Sequence, residues 1–143
     1  WSSVGPELSL GGYAGLGRIN CVAFSPVDTS VLYVGSASGG AWKTTDAGSS
    51  WTPLGDFNNA LGVADMVVMN KGGDDIVYLG TGDKDHWDTY SVGVMKSTDG
   101  GQTWNTTGLS WEQYQYGMVY RLLADPNDNN TLYAATNKGL YKT

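Results

Sequence analysis

The octapeptide Ser97-Thr98-Asp99-Gly100-Gly101-Gln102-Thr103-Trp104 decides how this chain is read, because its pattern returns as Thr44-Thr45-Asp46-Ala47-Gly48-Ser49-Ser50-Trp51. Written S/T-x-D-x-G-x-S/T-W, each copy reads as a hairpin turn. The short carboxylate of Asp46 or Asp99 accepts hydrogen bonds from N–H groups of its own turn, and Gly48 or Gly101 supplies a positive φ. Trp51 or Trp104 then anchors the turn on apolar neighbours, its indole N–H directed to an acceptor. Thr44, Ser50, Ser97 and Thr103 complete the two motifs.

Outward from these turns the whole chain repeats. Aligning Tyr33, Tyr78 and Tyr133 matches residues 17–35, 62–80 and 117–135 without a gap. Each segment opens with an apolar run of strand length, Ile19 to Phe24, Ala64 to Met69 and Val119 to Ala124, expected to be buried on both faces. Polar turns follow at 25–29, 70–75 and 125–130, then second strands at 31–34, 76–79 and 131–134. Third strands at 40–44, 93–97 and 139–143 lead into the turns, and 51–55 and 104–108 provide fourth strands. Four short antiparallel strands in a repeat of roughly 45 to 50 residues mark a propeller blade. The expected fold class is therefore all-β, a β-propeller segment of about three four-stranded antiparallel blades with an incomplete ring. Residues 1–16 read as an orphan outer strand and lead-in, 17–56 as the first blade, 57–109 as the second, and 110–143 as a third lacking its outer strand. Since propellers need at least about four blades, the remaining blades of the same or another chain are expected partners.

Composition narrows the function classes. The chain has 143 residues and a formal charge of -6, with a pI near 4.4, which argues against nucleic acid or an anionic membrane as partner. No apolar run is long enough to span a bilayer. Nine Tyr, six Trp and 21 Gly suit short strands and tight turns rather than helices. The one cysteine, Cys21, lies in an apolar run and reads as a small buried hydrophobe.

The paired motifs resemble the Asp box, or BNR repeat, of sialidase-type β-propellers. That resemblance implies that Asp46 and Asp99 are structural and that their turns lie on the face away from the ligand. A narrower resemblance is carried by Trp1, Val4-Gly5-Pro6, the run from Gly11 to Asn20, and Gly39-Gly40-Ala41-Trp42-Lys43-Thr44. These look like the N-terminal blades of large secreted bacterial propeller proteins that end in a type IX secretion signal, implying a secreted or cell-surface location. Xyloglucan-cleaving propellers share such blades too, although no stretch here matches their catalytic segments.

The opposite face, built from second-to-third and blade-to-blade loops, is the expected ligand face. Its longest loop contains Asp83-Lys84-Asp85-His86-Trp87-Asp88-Thr89-Tyr90, and Ser110-Trp111-Glu112-Gln113-Tyr114-Gln115-Tyr116 should emerge beside it. Trp87, Tyr90, Trp111, Tyr114 and Tyr116 offer flat platforms for sugar rings or a surface protein, with His86 and the acids as polar partners. The same aromatics could equally pack the loop and the blade interface. No catalytic residue is assigned, but Asp83, Asp85, Asp88 and Glu112 are the acids from which a glycosidase pair would come. Asp83, Asp85 and Asp88 also offer oxygen ligands to calcium, the one cofactor considered, without the later Gly and Glu of a calcium loop. A single histidine excludes a multi-histidine zinc site within this chain. With two arginines, Arg18 and Arg121, the chain lacks the arginine cluster by which sialidases hold their substrate.

The expected function is an extracellular, non-catalytic propeller module for glycan or protein binding or for scaffolding in a larger secreted protein. The alternative is part of an Asp-box glycoside hydrolase whose acids lie in the long loops or in missing blades. A third reading is a spacer between other domains.

Overall fold

Alternation of β-branched and aromatic residues with short Gly, Asp and Asn breaks gives the chain its strands. The computed structural model describes residues 2, 18–55, 60–85 and 89–143; apart from Ser2, the lead-in expected over 1–16 lies outside them. β1 (Ile19–Phe24), β2 (Leu32–Ser36), β3 (Ala41–Thr44) and β4 (Thr52–Leu54) form one four-stranded sheet in chain order. β5 (Val63–Lys71), β6 (Asp74–Thr81), β7 (Gly93–Ser97) and β8 (Asn105–Ser110) form a second. β9 (Val119–Asp125), β10 (Asp128–Thr136) and β11 (Gly139–Lys142) form a third, with three strands. All pairings are antiparallel. The turn expected over 70–75 shrinks to Gly72 and Gly73, whose φ values of 70° and 102° let a two-residue hairpin follow the strand twist.

The first strands of the sheets lie side by side, β5 touching both β1 and β9. Only β5 meets the expectation of burial on both faces. In β1, Ile19, Val22 and Phe24 are exposed, and in β9, Leu123 is exposed. The reason is positional: β5 has a sheet on each side, and among the described residues the flanking strands have one.

Glycine brings the sheets together. A Cβ on Gly35 in β2 would lie 2.4 Å from Val63 Cγ1 of the next sheet, and one on Gly80 in β6 would lie 2.5 Å from Val119 Cγ1. Behind the first contact, Tyr33, Ala41, Leu54, Val63, Met66, Val77, Leu79 and Met95 form one buried cluster. Burying each of the larger side chains contributes about 1.5–3 kcal/mol. Cys21 packs against this cluster, and its thiol is pushed up to about 12, first by burial and then by the Asp65 carboxylate, as suits a packing residue.

The two Asp-Gly-Trp corners are bonded almost atom for atom alike. Thr44 Oγ1 donates to Asp46 Oδ1 (2.7 Å) and accepts from the Gly48 N–H (2.9 Å). Ser50 gives Asp46 its N–H (2.8 Å) and its hydroxyl (2.6 Å). In the second corner Ser97 plays the part of Thr44 and Thr103 that of Ser50, at 2.7, 2.8, 2.9 and 2.6 Å. Gly48 and Gly101 take φ of 96° and 97°, as the glycine requirement predicts. One expectation fails: Trp104 Nε1 is buried with no acceptor among the described residues. The ring packs on the apolar cluster of the seam, and burying its large surface offsets an N–H left unpaired, which costs about 1–3 kcal/mol.

Each corner carboxylate accepts several donors, led by Ser50 for Asp46 and Thr103 for Asp99, and both are held down at about 2. A depressed carboxylate stabilises the fold fully above its unfolded value of 3.8, and that contribution is lost as pH falls through about 2. Asp28 and Asp128, lowered by their own turns, act in the same direction. Thermal melts should therefore show stability falling between pH 4 and pH 2. The Asp46→Ala, Asp99→Ala double variant should be less stable at pH 7 and flatter across that acid window.

Candidate functional site

Strand direction assigns the two faces. The Gly100 N–H donates to the Asp75 carbonyl (3.2 Å), so the second corner lies at the same strand end as the β5–β6 hairpin. The loop after β6 and the link after β8 lie at the other end, joined where the Trp111 N–H meets the Val92 carbonyl (3.3 Å). The corners and the long loops are thus on opposite faces.

On the long-loop face the first sheet meets the second through charge. Arg18, just before β1, forms an ion pair with Asp83, whose side chain is fully buried, and lies 3.8 Å from Asp85 Oδ2. Asp83 Oδ1 takes both the Arg18 guanidinium and the Asp85 N–H (3.3 Å). Asp83 Oδ2 is buried with no partner among the described residues. Asn20 extends the contact by donating Nδ2 to the Val63 carbonyl (3.0 Å). Thr89 closes it by donating Oγ1 to the Ala37 carbonyl (3.0 Å), over Gly62, where a Cβ would strike the Thr89 hydroxyl at 1.8 Å.

The aromatics divide into two groups. Trp111 is 9% exposed, its Nε1 donates to the Ser91 carbonyl (2.9 Å), and its ring covers Gly117, where a Cβ would lie 2.2 Å away. Trp111 is therefore a wedge between loop and third sheet rather than an open platform, the packing one of the two roles its sequence allowed. Tyr90, Tyr114 and Tyr116 are 61%, 74% and 70% exposed. Tyr116 ends a short 3-10 turn (Gln113–Gln115) with φ +50°, an uncommon state for a residue with a side chain. Asn137, from the β10–β11 turn, holds it there by donating Nδ2 to the Tyr116 carbonyl (2.7 Å) and accepting the Met118 N–H (2.8 Å).

Of the acids, Asp85 is half exposed and Glu112 is exposed. His86, Trp87 and Asp88 lie outside the described residues. Among the described residues no three His, Cys, Asp or Glu side chains converge as metal ligands; Asp88, the third acid of the calcium expectation, lies outside them. None of the helices described is long and apolar enough to cross a membrane.

Two polar residues escaped the sequence reading. Asp65 is buried in β5, where Oδ2 accepts the Leu122 N–H of β9 (2.7 Å) and lies 3.4 Å from Arg121 Nε. An aspartate inside the apolar run 64–69 was the available signal. The Asn137 clamp had none, because nothing in a turn sequence names a distant carbonyl.

No protein-family profile matches the chain. Among curated proteins it is 34% identical over 142 residues to a xyloglucanase from Paenibacillus, covering 91% of this chain and 14% of that protein. A xyloglucanase from Hypocrea jecorina is 29% identical over 154 residues, 96% of this chain and 17% of its own length. Among solved structures, the GH74 enzyme of Niastella koreensis superposes with a TM-score of 0.63 at 26% identity, over 86% of this chain and 19% of that one. The GH74 xyloglucanase from Xanthomonas campestris gives 0.67 at 24% identity, over 89% and 19%. The chain thus spans less than a fifth of each of these relatives. The likeness makes the three sheets a partial β-propeller, all-β as expected. It also overturns the expectation of a non-catalytic module, because the matched relatives are named as enzymes along nine-tenths of the chain. The sequence reading had connected xyloglucan-cleaving propellers with the blades alone.

The Arg18–Asp83 pair yields a measurable consequence. Arg18→Ala leaves a buried carboxylate unpaired and should cost on the order of 3 kcal/mol, near the low end for a broken buried pair because the arginine is partly solvated. In denaturant melts the Arg18→Ala, Asp83→Ala double variant should lose clearly less than the two single losses added together; additive losses would show that the pair is not coupled.

Proposed function

We propose that this chain is a blade segment of an extracellular propeller-type glycoside hydrolase acting on a xyloglucan-like β-glucan. The observation that carries the reading is the 34% identity to the Paenibacillus xyloglucanase across 91% of the chain. The other blades of that enzyme are then its partners, and water is the second substrate. A polymer of this size is met outside the cell, which is why the location is read as extracellular. The type IX export route rests on the resemblance of the stretch around Gly11 to Asn20 and belongs to the same proposal.

The long-loop face supplies suitable groups. Glycoside hydrolysis requires one carboxylic acid to protonate the leaving oxygen and a second carboxylate to activate water or attack the sugar. Of Asp83 and Asp85, Asp85 is the acid that a polymer can reach, being half exposed. Asp83 is fully buried, cannot touch a polymer, and serves as a positioning residue that aims Arg18. The second carboxylate comes from Glu112, from Asp88, or from a blade outside this chain. Tyr90, Tyr114 and Tyr116 present ring faces on which the C–H faces of glucosyl units can stack, with His86 and Trp87 as further contacts in the long loop.

The test uses the full-length protein on xyloglucan, with mixed-linkage glucan and xylan as alternatives. Release of oligosaccharides from xyloglucan is expected. Asp85→Asn should reduce kcat by about 10²–10⁴-fold if it is the acid or base. Unchanged kcat in Asp85→Asn, Asp88→Asn and Glu112→Gln would move the catalytic pair to other blades. Absence of hydrolysis on all three polymers would end the glycosidase reading.

A further inference from the structure

Among the described residues that carry a side chain, Ala47 and Tyr116 alone take a positive φ, 56° and 50°. Ala47 stands in the register of Gly100, whose φ is 68°, so its twist belongs to the Asp-Gly corner. Tyr116 stands in the register of Leu61, which keeps a negative φ. The repeat itself therefore does not ask for the twist. Neither does the residue type, since a bulky side chain makes this backbone state costly where glycine would take it freely.

Asn137 imposes it. Its amide donates Nδ2 to the Tyr116 carbonyl (2.7 Å) and accepts the Met118 N–H (2.8 Å), gripping the chain on both sides of Gly117. The residues in its register are Ala37 and Gly82, neither of which has a side chain able to do this. On the other side the Tyr116 N–H donates to the Gln113 carbonyl (3.2 Å), and Trp111, tied to Ser91, packs on Gly117. The link from Trp111 to Gly117 is thus fixed at both ends, yet the ring it carries packs on little. Tyr116 is 70% exposed, and Tyr114 on the same turn is 74% exposed. That exposure belongs to the face, because Leu61, which opens a sheet flanked on both sides, is still 44% exposed. A strained backbone held in place to present a ring that the core does not use is the pattern of a binding contact. Tyrosine suits it, offering a large flat surface with few torsions to freeze, and a fixed backbone lowers the ordering cost further.

We propose that Asn137 is a positioning residue for a polysaccharide platform: it locks the Tyr116 backbone so that the exposed ring stacks on the C–H face of a neutral sugar unit. The inference rests on the β-glucan reading above and adds to it the residue that pre-sets the platform.

The test titrates the full-length protein calorimetrically with xyloglucan, mixed-linkage glucan and xylan. Tyr116→Gly should melt no lower than the parent, because glycine accepts the twist, yet raise Kd for the bound polymer about tenfold. Asn137→Asp keeps an acceptor for the Met118 N–H and loses the donor to Tyr116. It should raise Kd about threefold or more while kcat stays nearly unchanged, and raise it no further in the Tyr116→Gly background. Parent-like Kd in Tyr116→Gly, or an Asn137→Asp variant that melts lower but binds as the parent does, would overturn the inference and leave the hydrolase reading standing. A parent that binds without cleaving would end the hydrolase reading, and the same losses in the variants would still support the platform. A parent that binds none of the three polymers would overturn both.

Discussion

Two close approaches set the spacing of the whole molecule: Gly35 against Val63 and Gly80 against Val119. In both, a backbone without a side chain lets the first strand of one sheet lie directly on the second strand of the sheet before it. Any larger residue would push the sheets apart, and interiors packed at crystal-like density tolerate little of that. The apolar cluster around Tyr33, Val63, Met66 and Leu79, which belongs to both of the first two sheets, exists because those glycines permit the contact. The sheets are therefore not independent units. Each completes its core only with a neighbour, as repeat architectures generally do.

Polar groups then lock the seams at both strand ends, by different chemistry on each face. On the corner face, Asp75 accepts from Ser25 (2.8 Å) and from Tyr33 (3.0 Å), and burial together with that carboxylate raises the Tyr33 hydroxyl above its ordinary value. In mid-seam, buried Asp65 takes the Leu122 N–H. On the loop face, Arg18 holds Asp83. The corner face is closed by short turns whose carboxylates accept hydrogen bonds from their own residues. The loop face carries longer segments, half-exposed acids and exposed tyrosines, and loops on a rigid scaffold are where binding and catalysis concentrate. The division into a face of closed turns and a face of long loops thus follows from where the chain has length left over after the hairpins are closed.

Much of this was legible beforehand. The Tyr33, Tyr78 and Tyr133 register, the glycine-bearing corners and the three apolar openings located the strands within a few residues, because each depends on nearest-neighbour chemistry: strand alternation, Asx hydrogen bonding, positive φ. Trp111 stayed open between two roles for the opposite reason. Its type suits either a sugar platform or a wedge, and only the placement of Gly117 and Ser91 beneath it decides between them. Function was misjudged because blades of one design serve binding modules and enzymes alike.

From its order of residues alone, the chain determined that it is all-β, that it repeats, and where its turns fall, since these are settled within a dozen neighbouring residues. The third dimension decided which charges meet. Arg18 and Asp83 are 65 positions apart, and Asp65 and Leu122 are 57 apart. Neither pairing is encoded locally. Both arise because glycine lets one sheet settle on the next, and a buried carboxylate must then take whatever donor that contact brings within reach.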